Sequence, residues 1–379
     1  MPLPKPRIST IDEPEANPRP ASERPVARFE IRYYQYLRPT GELVGSPPAL
    51  ALDGKLLRRC YHCMRLTRQF DQKAVSLQRT GQLGTYASSL GQEAIGTALG
   101  LSMHQRDVLL PAYREYAAQF LRGVGMTDIL LYWGGDERGM DYRIPREDFP
   151  ISVPVASQAS HAVGVAYAFK YRREPRVAVC VLGDGGTSKG DFYEALNLAG
   201  AWRLPVLFLV NNNQWAISVP RHQQSAAETL AQKAIAAGIA GEQVDGNDVV
   251  ALYARLDRAL REIRRRGQPL LIEALSYRLC DHTTADDASR YRDRKQLEQQ
   301  RANDPLRRLK TLLMARYGWD EEQELHLLEE CNEAVENAVK VYLETRPQPL
   351  ESLFDYLYAT LPEALEEQRA ALLRRRFDA

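Results

Sequence analysis

Cysteine is scarce: five in 379 residues, too few for the disulfide framework of a small secreted domain. Cys60 and Cys63 form a Cys-x-x-Cys pair. No second Cys/His pair stands at zinc spacing, and no redox-type βαβ pattern precedes it. The pair reads as two small residues on a helix, and the usage suits a reducing, cytoplasmic setting. No apolar run reaches the roughly 18 residues that would read as a membrane span. The first residues lack the apolar stretch of a signal peptide. The formal net charge is only +1, so no general attraction to nucleic acid or a membrane surface is expected. Gly-x-x-x-x-Gly-Lys-Ser/Thr is absent, and Gly-x-Gly-x-x-Gly does not follow the first strand, which removes the two commonest nucleotide fingerprints. No internal repeat is evident.

What is present is a hydrophobic fraction of 44%, enough for a large core. The pattern favours one main α/β domain over residues 29–345. A flexible Pro/Glu/Arg-rich arm over 1–28 precedes it, and a helical tail over 346–379 follows. Residues 31–47 read as a short strand pair around Pro39-Thr-Gly41. Helices are expected over 54–80, from about 91, over 158–172, around 226–237, over 248–265 and over 304–343. Strands are expected at 107–110, 176–182, 205–211 and 269–275. Asp191, with Glu194 three residues on, is the expected cap of the helix after the second of these strands. Residues 278–297 read as a charged loop.

The segment Gly183 to Ser218 carries the chemistry. An apolar strand runs into Gly183-Asp-Gly185, a helix-period stretch follows, and a second apolar strand ends in Asn211-Asn-Asn213. Asp184 and Asn213 are 29 residues apart, the length of one βαβ crossover. A right-handed crossover returns both strand ends to the same sheet edge. Asp184 then offers a hard anionic oxygen, Asn213 a neutral amide oxygen, and the glycines a backbone that phosphate oxygens can approach. That suits a magnesium diphosphate. The alternative is a glycine-rich turn and an Asn-rich loop without an ion.

Gly183-Asp-Gly185 through Asn212-Asn213 resembles the thiamine diphosphate motif. Gly84-Thr-Tyr-Ala-Ser-Ser-Leu-Gly-Gln-Glu-Ala94, Leu110-Pro-Ala-Tyr-Arg114 and Asp281-His-Thr-Thr-Ala-Asp-Asp287 extend the likeness in order. From about Tyr36 to about Pro362 the chain is similar to the alpha subunit of the decarboxylating component of 2-oxoacid dehydrogenase complexes. The fold this implies is a mostly parallel α/β sheet flanked by helices, with a helical C-terminal extension.

The resemblance implies a cofactor site. Magnesium would be held by Asp184, Asn213 and the carbonyl of Trp215, which stands where Tyr is more usual. Gly185 and Gly186 would offer backbone N–H groups to the diphosphate. Tyr113 and Arg114 would touch the phosphates and the site wall; alone, Arg114 would read as a surface residue pairing with Glu115. His282 would sit over the cofactor entrance as the catalytic residue, with Asp281, Asp286 and Asp287 expected to raise its pKa and keep it cationic. Val153 and Val155 would cradle the aminopyrimidine. Ser152, Pro154, Ser157 and Gln158 are candidates for a potassium site. Some relatives carry Arg where this chain has Asn211, so one phosphate contact is expected to be missing or supplied elsewhere.

Only the diphosphate-binding half of a thiamine enzyme is legible. The resemblance therefore implies a separate beta subunit, an α2β2 heterotetramer, and a lipoyl-carrying acyltransferase that takes the acyl group. The implied reaction is oxidative decarboxylation of a 2-oxoacid, with pyruvate favoured. Branched-chain 2-oxoacid and acetoin enzymes are the alternatives within the class. A non-catalytic diphosphate-binding scaffold is the alternative outside it.

Overall fold

The computed structural model describes residues 25–355 and 357–375, so residues 1–24 of the expected arm lie outside it, as do parts of the expected tail. Eight strands occur among the described residues: β1 (Tyr33–Tyr34), β2 (Val108–Leu110), β3 (Ala178–Gly183), β4 (Val206–Asn212), β5 (Trp215–Ala216), β6 (Val219–Pro220), β7 (Ala240–Asp245) and β8 (Leu270–Leu275). Six form one sheet in the order β1-β7-β8-β4-β3-β2, and every pairing in it is parallel. β5 and β6 make a small antiparallel hairpin of their own.

A parallel sheet is covered on both faces, so its strands are apolar on both. Here Val179, Val181, Leu207, Leu209, Leu270 and Ile272 face one cluster. The intervening Ala178, Cys180, Leu182, Val206, Phe208, Val210 and Leu271 face the other. Helices Gly54–Arg79, Glu93–Ser102, Val249–Arg266 and Pro305–Arg316 supply the first layer; Ser157–Arg172 and Gly190–Trp202 supply the second. Successive residues of each apolar run thus alternate between two cores, which is why the runs read as continuous in the sequence.

Several expectations need correction. The helical stretch expected over 304–343 is two helices, Pro305–Arg316 and Glu321–Glu344, and around 226–237 only a 3-10 helix, Ala231–Ala237, forms. The expected hairpin over 31–47 shrinks to one bridge, Leu37 with Leu43, because Tyr33–Tyr34 joins the main sheet beside β7 instead. β7 was not expected as a strand. Its Ala-Gly-Glu-Gln-Val-Asp sequence has no apolar run; the buried Glu242 is neutralised by a bidentate pair with Arg255. Gly241 is forced there by a close approach, since a Cβ would sit 2.5 Å from the carbonyl oxygen of Ala231. Asp191 does not cap the helix Gly190–Trp202. It lies in the first turn and pairs with the N-cap residue, Lys189, at 2.9 Å. The expected loop over 278–297 contains a short 3-10 turn (Ala288–Arg290) and runs into a helix at Arg294.

Asp248 caps the helix Val249–Arg266 and does more than cap. Its Oδ1 accepts from Ala251 N at 3.0 Å, and its Oδ2 accepts from the backbone N–H groups of Tyr36 and Leu37 at 2.6 and 2.7 Å. One side chain thereby ties the N-terminal segment to the helix. Asp248→Ala leaves three buried or half-buried donors unpaired, a loss of about 2–4 kcal/mol. Urea unfolding at pH 7.5 is expected to show a clearly lower midpoint for it, and a smaller drop for Asp248→Asn.

Cys60 and Cys63 are buried on the first long helix. Cys63 donates to Ala117 O at 3.7 Å, and burial pushes its thiol up to about 11. Their packing matches the reading of two small helix residues.

Candidate functional site

Gly183 at the end of β3 stands in register with Asn211 on β4, so the Gly-Asp-Gly turn and the Asn cluster emerge side by side at the C-terminal edge of the sheet. This is the edge where ligands bind in open α/β sheets. A cavity of about 240 Å³ opens there. Tyr113, Arg114, Val155, Asp184, Gly185, Gly186, Asn213, Trp215 and His282 all line it, as do Ser152 and Gln158. Val153, Pro154 and Ser157 are not among the lining residues. The oxygens of the expected potassium group nevertheless gather: Ser152 Oγ lies 2.7 Å from Ser157 Oγ, and Ser157 Oγ donates to Pro154 O at 2.9 Å.

Asp184 is the most unusual group in this cavity. It is 1% exposed, and its Oδ2 has no hydrogen-bond partner in the protein. Burial raises its pKa to about 6, against the opposing pull of its own and Gly185's backbone N–H groups and of Arg278. A buried carboxylate oxygen without a donor is costly unless something cationic meets it. The turn is tightly packed: a Cβ on Gly185 would lie 2.8 Å from that of Ala216. Thr187 and the buried Lys233 brace it from below, Thr187 Oγ1 donating to Asp184 O and Lys233 Nζ to Thr187 O, both at 2.7 Å.

Asn213 Oδ1 accepts from Trp215 N at 3.2 Å, and its Nδ2 donates to Gln92 Oε1 at 3.1 Å. Asn211 donates to the same Gln92 oxygen at 2.9 Å and accepts from Ser276 Oγ at 2.9 Å. Two residues lining the cavity, Ala156 (φ 67°) and Ile217 (φ 56°), have left-handed backbones, as does Gln214 (φ 71°), which precedes Trp215. For β-branched Ile217 this is a strained geometry. It forms the tip of the β5–β6 hairpin that carries Trp215.

Arg114 does not form an ion pair with Glu115. Its guanidinium donates to the carbonyls of Ser88 and His282, the latter at 2.6 Å, and covers the Tyr113 ring. His282 departs from expectation. Burial first, then Arg114 and Arg278, lower its pKa to about 4, and only Asp286 opposes them. Asp286 accepts from the backbone N–H of His282 at 2.9 Å. Asp281 and Asp287 instead accept from Ala288 N and Ser289 N, at 2.9 and 3.1 Å. The ring is therefore neutral in the free chain, not cationic.

Sequence reasoning missed Gln92, Glu115 and Arg278. Gln92 Oε1 holds both Asn211 and Asn213, and nothing local in Gly91-Gln-Glu93 points to that contact. Glu115 was treated as a surface partner, but it is 4% exposed and lines the cavity. Burial pushes its pKa up to about 7, although Arg114 N donates to it at 3.3 Å. A carboxyl raised in the folded state is held protonated there, so its ionisation costs stability as pH climbs from the unfolded value through about 7. Glu115→Gln is expected to stabilise the ligand-free chain at pH 8 by up to about 3 kcal/mol and to do little at pH 4. Thermal unfolding at both pH values reads this.

A family profile described as dehydrogenase E1 component matches residues 61–350. The chain is 36% identical over 339 residues to the pyruvate dehydrogenase E1 component subunit alpha of Mycoplasma genitalium, covering 89% of this chain and 95% of that protein. It is 37% identical over 336 residues to the protein of the same name from Bacillus subtilis, covering 88% and 91%. The Staphylococcus aureus protein of that name is 37% identical over 347 residues, covering 90% and 92%. With this cavity at the sheet edge and these relatives along most of its length, the chain belongs to the dehydrogenase E1 component family, as an alpha subunit.

Proposed function

We propose that this chain is the alpha subunit of a thiamine diphosphate-dependent 2-oxoacid dehydrogenase acting on pyruvate, with magnesium holding the cofactor's diphosphate. The observation that carries the reading is the buried, unpartnered Oδ2 of Asp184 beside the Gly-Asp-Gly turn. The donor set fits the group: a hard carboxylate oxygen, an amide oxygen on Asn213 and a backbone carbonyl on Trp215 suit magnesium, which keeps phosphate oxygens among its ligands. Backbone N–H groups of Gly185 and Gly186 would meet the diphosphate, and Arg114, Tyr113 and His282, which also line the cavity, would wall it in. Val155, which lines the cavity, and Val153 two residues before it would cradle the aminopyrimidine. Ser152, Pro154, Ser157 and Gln158, whose Oε1 is buried without a partner, take a potassium ion.

Thiamine diphosphate supplies the carbanion chemistry that releases carbon dioxide from the 2-oxoacid. The chain's own residues anchor and orient: Asp184 contributes the fixed negative charge, the strained hairpin presents the Trp215 carbonyl, and Arg114 braces the His282 loop. The apolar rim is open, with Val153, Val155 and Ile217 exposed by 50%, 46% and 57%. That supports a beta subunit covering the mouth in an α2β2 assembly, with the acyl group passing to a lipoyl-bearing acyltransferase. No described helix is long and apolar enough to cross a membrane.

Co-expression with a beta subunit and ferricyanide-coupled assay of pyruvate and of 3-methyl-2-oxobutanoate tests this. A clear preference for pyruvate is expected. Preference for the branched acid, or turnover of neither, would overturn the substrate assignment.

A further inference from the structure

A guanidinium donates hydrogen bonds and never accepts them. Two guanidiniums converge on one ring nitrogen of His282: Arg114 Nη2 lies 3.2 Å and Arg278 Nη1 3.3 Å from Nδ1. Nδ1 must therefore present its lone pair to them, and the ring proton must reside on Nε2.

Neither arginine is free to leave. Arg278 is fully buried and donates to Ile217 O at 2.8 Å, Tyr291 Oη at 2.8 Å and Cys280 O at 3.3 Å. Arg114 is anchored on Ser88 O and on the carbonyl of His282 itself. The backbone N–H of His282 is tied to Asp286, and the Tyr113 ring stands edge-on to the imidazole with centroids 6.1 Å apart. The charged groups facing the ring are thus two cations and one carboxylate.

We infer that His282 is held as the neutral Nε2–H tautomer, a hydrogen-bond donor to whatever oxygen enters the cavity, and that Arg278 is the positioning residue that helps fix this tautomer. A ring of this kind offers one donor at Nε2 and no basic lone pair there. It polarises or orients an oxygen and does not take a proton from it. The lowered pKa of His282 agrees with the geometry. The role toward a bound diphosphate or carbonyl oxygen rests on the proposed function; the tautomer itself does not.

The test is nitrogen NMR of the full chain, without cofactor, carrying ¹⁵N in the rings of its six histidines. The His282 signals are those lost in His282→Gln. Between about pH 6 and 8 the expected pattern is one unprotonated Nδ1 and one protonated Nε2. Arg278→Gln should move both nitrogens toward averaged shifts, and Arg278→Lys, which keeps a donor and a charge, should recover part of the original pattern. An Nδ1-protonated, averaged or cationic ring in the unaltered chain would overturn the assignment, and needs no variant to fold. An unchanged pattern in a folded Arg278→Gln would remove Arg278 from it. Because no cofactor is present, failure of thiamine diphosphate to bind would leave this result standing.

Discussion

Asp184→Asn is expected to weaken magnesium-dependent cofactor retention sharply and to leave the ligand-free chain more stable. Both effects come from one oxygen. Oδ2 of Asp184 is buried and meets no donor, and burial already lifts the carboxyl to about 6. Above about pH 6, where the carboxyl is ionised, replacing it with a neutral amide removes a buried charge that the nearby backbone N–H groups and Arg278 only partly offset, a gain of about 1–3 kcal/mol. The same change removes the only anionic oxygen that the protein contributes to the proposed magnesium ligands. Loss of a directly coordinating group should exceed the 10–100-fold typical of groups one shell further out, so a fall of at least about 100-fold in cofactor affinity is expected. Calorimetric titration with magnesium thiamine diphosphate, paired with thermal unfolding of the ligand-free chain, reads the two effects separately. A variant that is less stable and still binds would show that Asp184 is a structural residue.

Arg114→Ala is expected to lower kcat/KM by about 100–1000-fold, the scale of losing a preorganised donor at a site of concentrated negative charge. Arg114 acts in two ways. Its fork suits phosphate oxygens, and its bonds to Ser88 O and His282 O tie the segment 86–90 to the loop that carries His282. Arg114→Lys keeps the charge but not the fork, so it should recover only a small part of the activity. If Lys restored full activity, charge alone would be the requirement. Asp71 belongs to the same chain of support: it is fully buried and accepts from Tyr86 Oη at 3.0 Å, Ser89 N at 2.7 Å and Ser88 Oγ.

The parts of the fold that were legible are those where one physical signal dominated. β3, the glycine turn and β4 were readable because parallel strands buried on both faces leave continuous apolar runs, and because the turn between them needs glycine. β7 was hidden because its burial is achieved by an ion pair, Glu242 with Arg255, and its glycine by contact with Ala231, neither of which leaves a local pattern. The hairpin at 31–47 failed because Tyr33–Tyr34 found a better partner some two hundred residues away in the chain. At the site, the spacing of Asp184 and Asn213 placed them at one sheet edge, whereas Tyr113 and Arg114 were legible only through the resemblance carried by Leu110-Pro-Ala-Tyr-Arg114. The state of His282 was not legible. Its sequence neighbours include three carboxylates, but burial, which the sequence does not show, lowers its pKa most; Arg114 and Arg278 add to that, and only Asp286 opposes them. Gln92 and Glu115 likewise matter only through what the fold brings against them.

The most direct measurement is calorimetric titration of thiamine diphosphate into this chain assembled with its beta subunit, with magnesium present and then with magnesium chelated. The expected result is saturable binding at one site per alpha chain, lost on chelation and lost in Asp184→Asn. Binding that survives both changes, or no binding by the intact assembly, would contradict a magnesium diphosphate site at the β3–β4 edge.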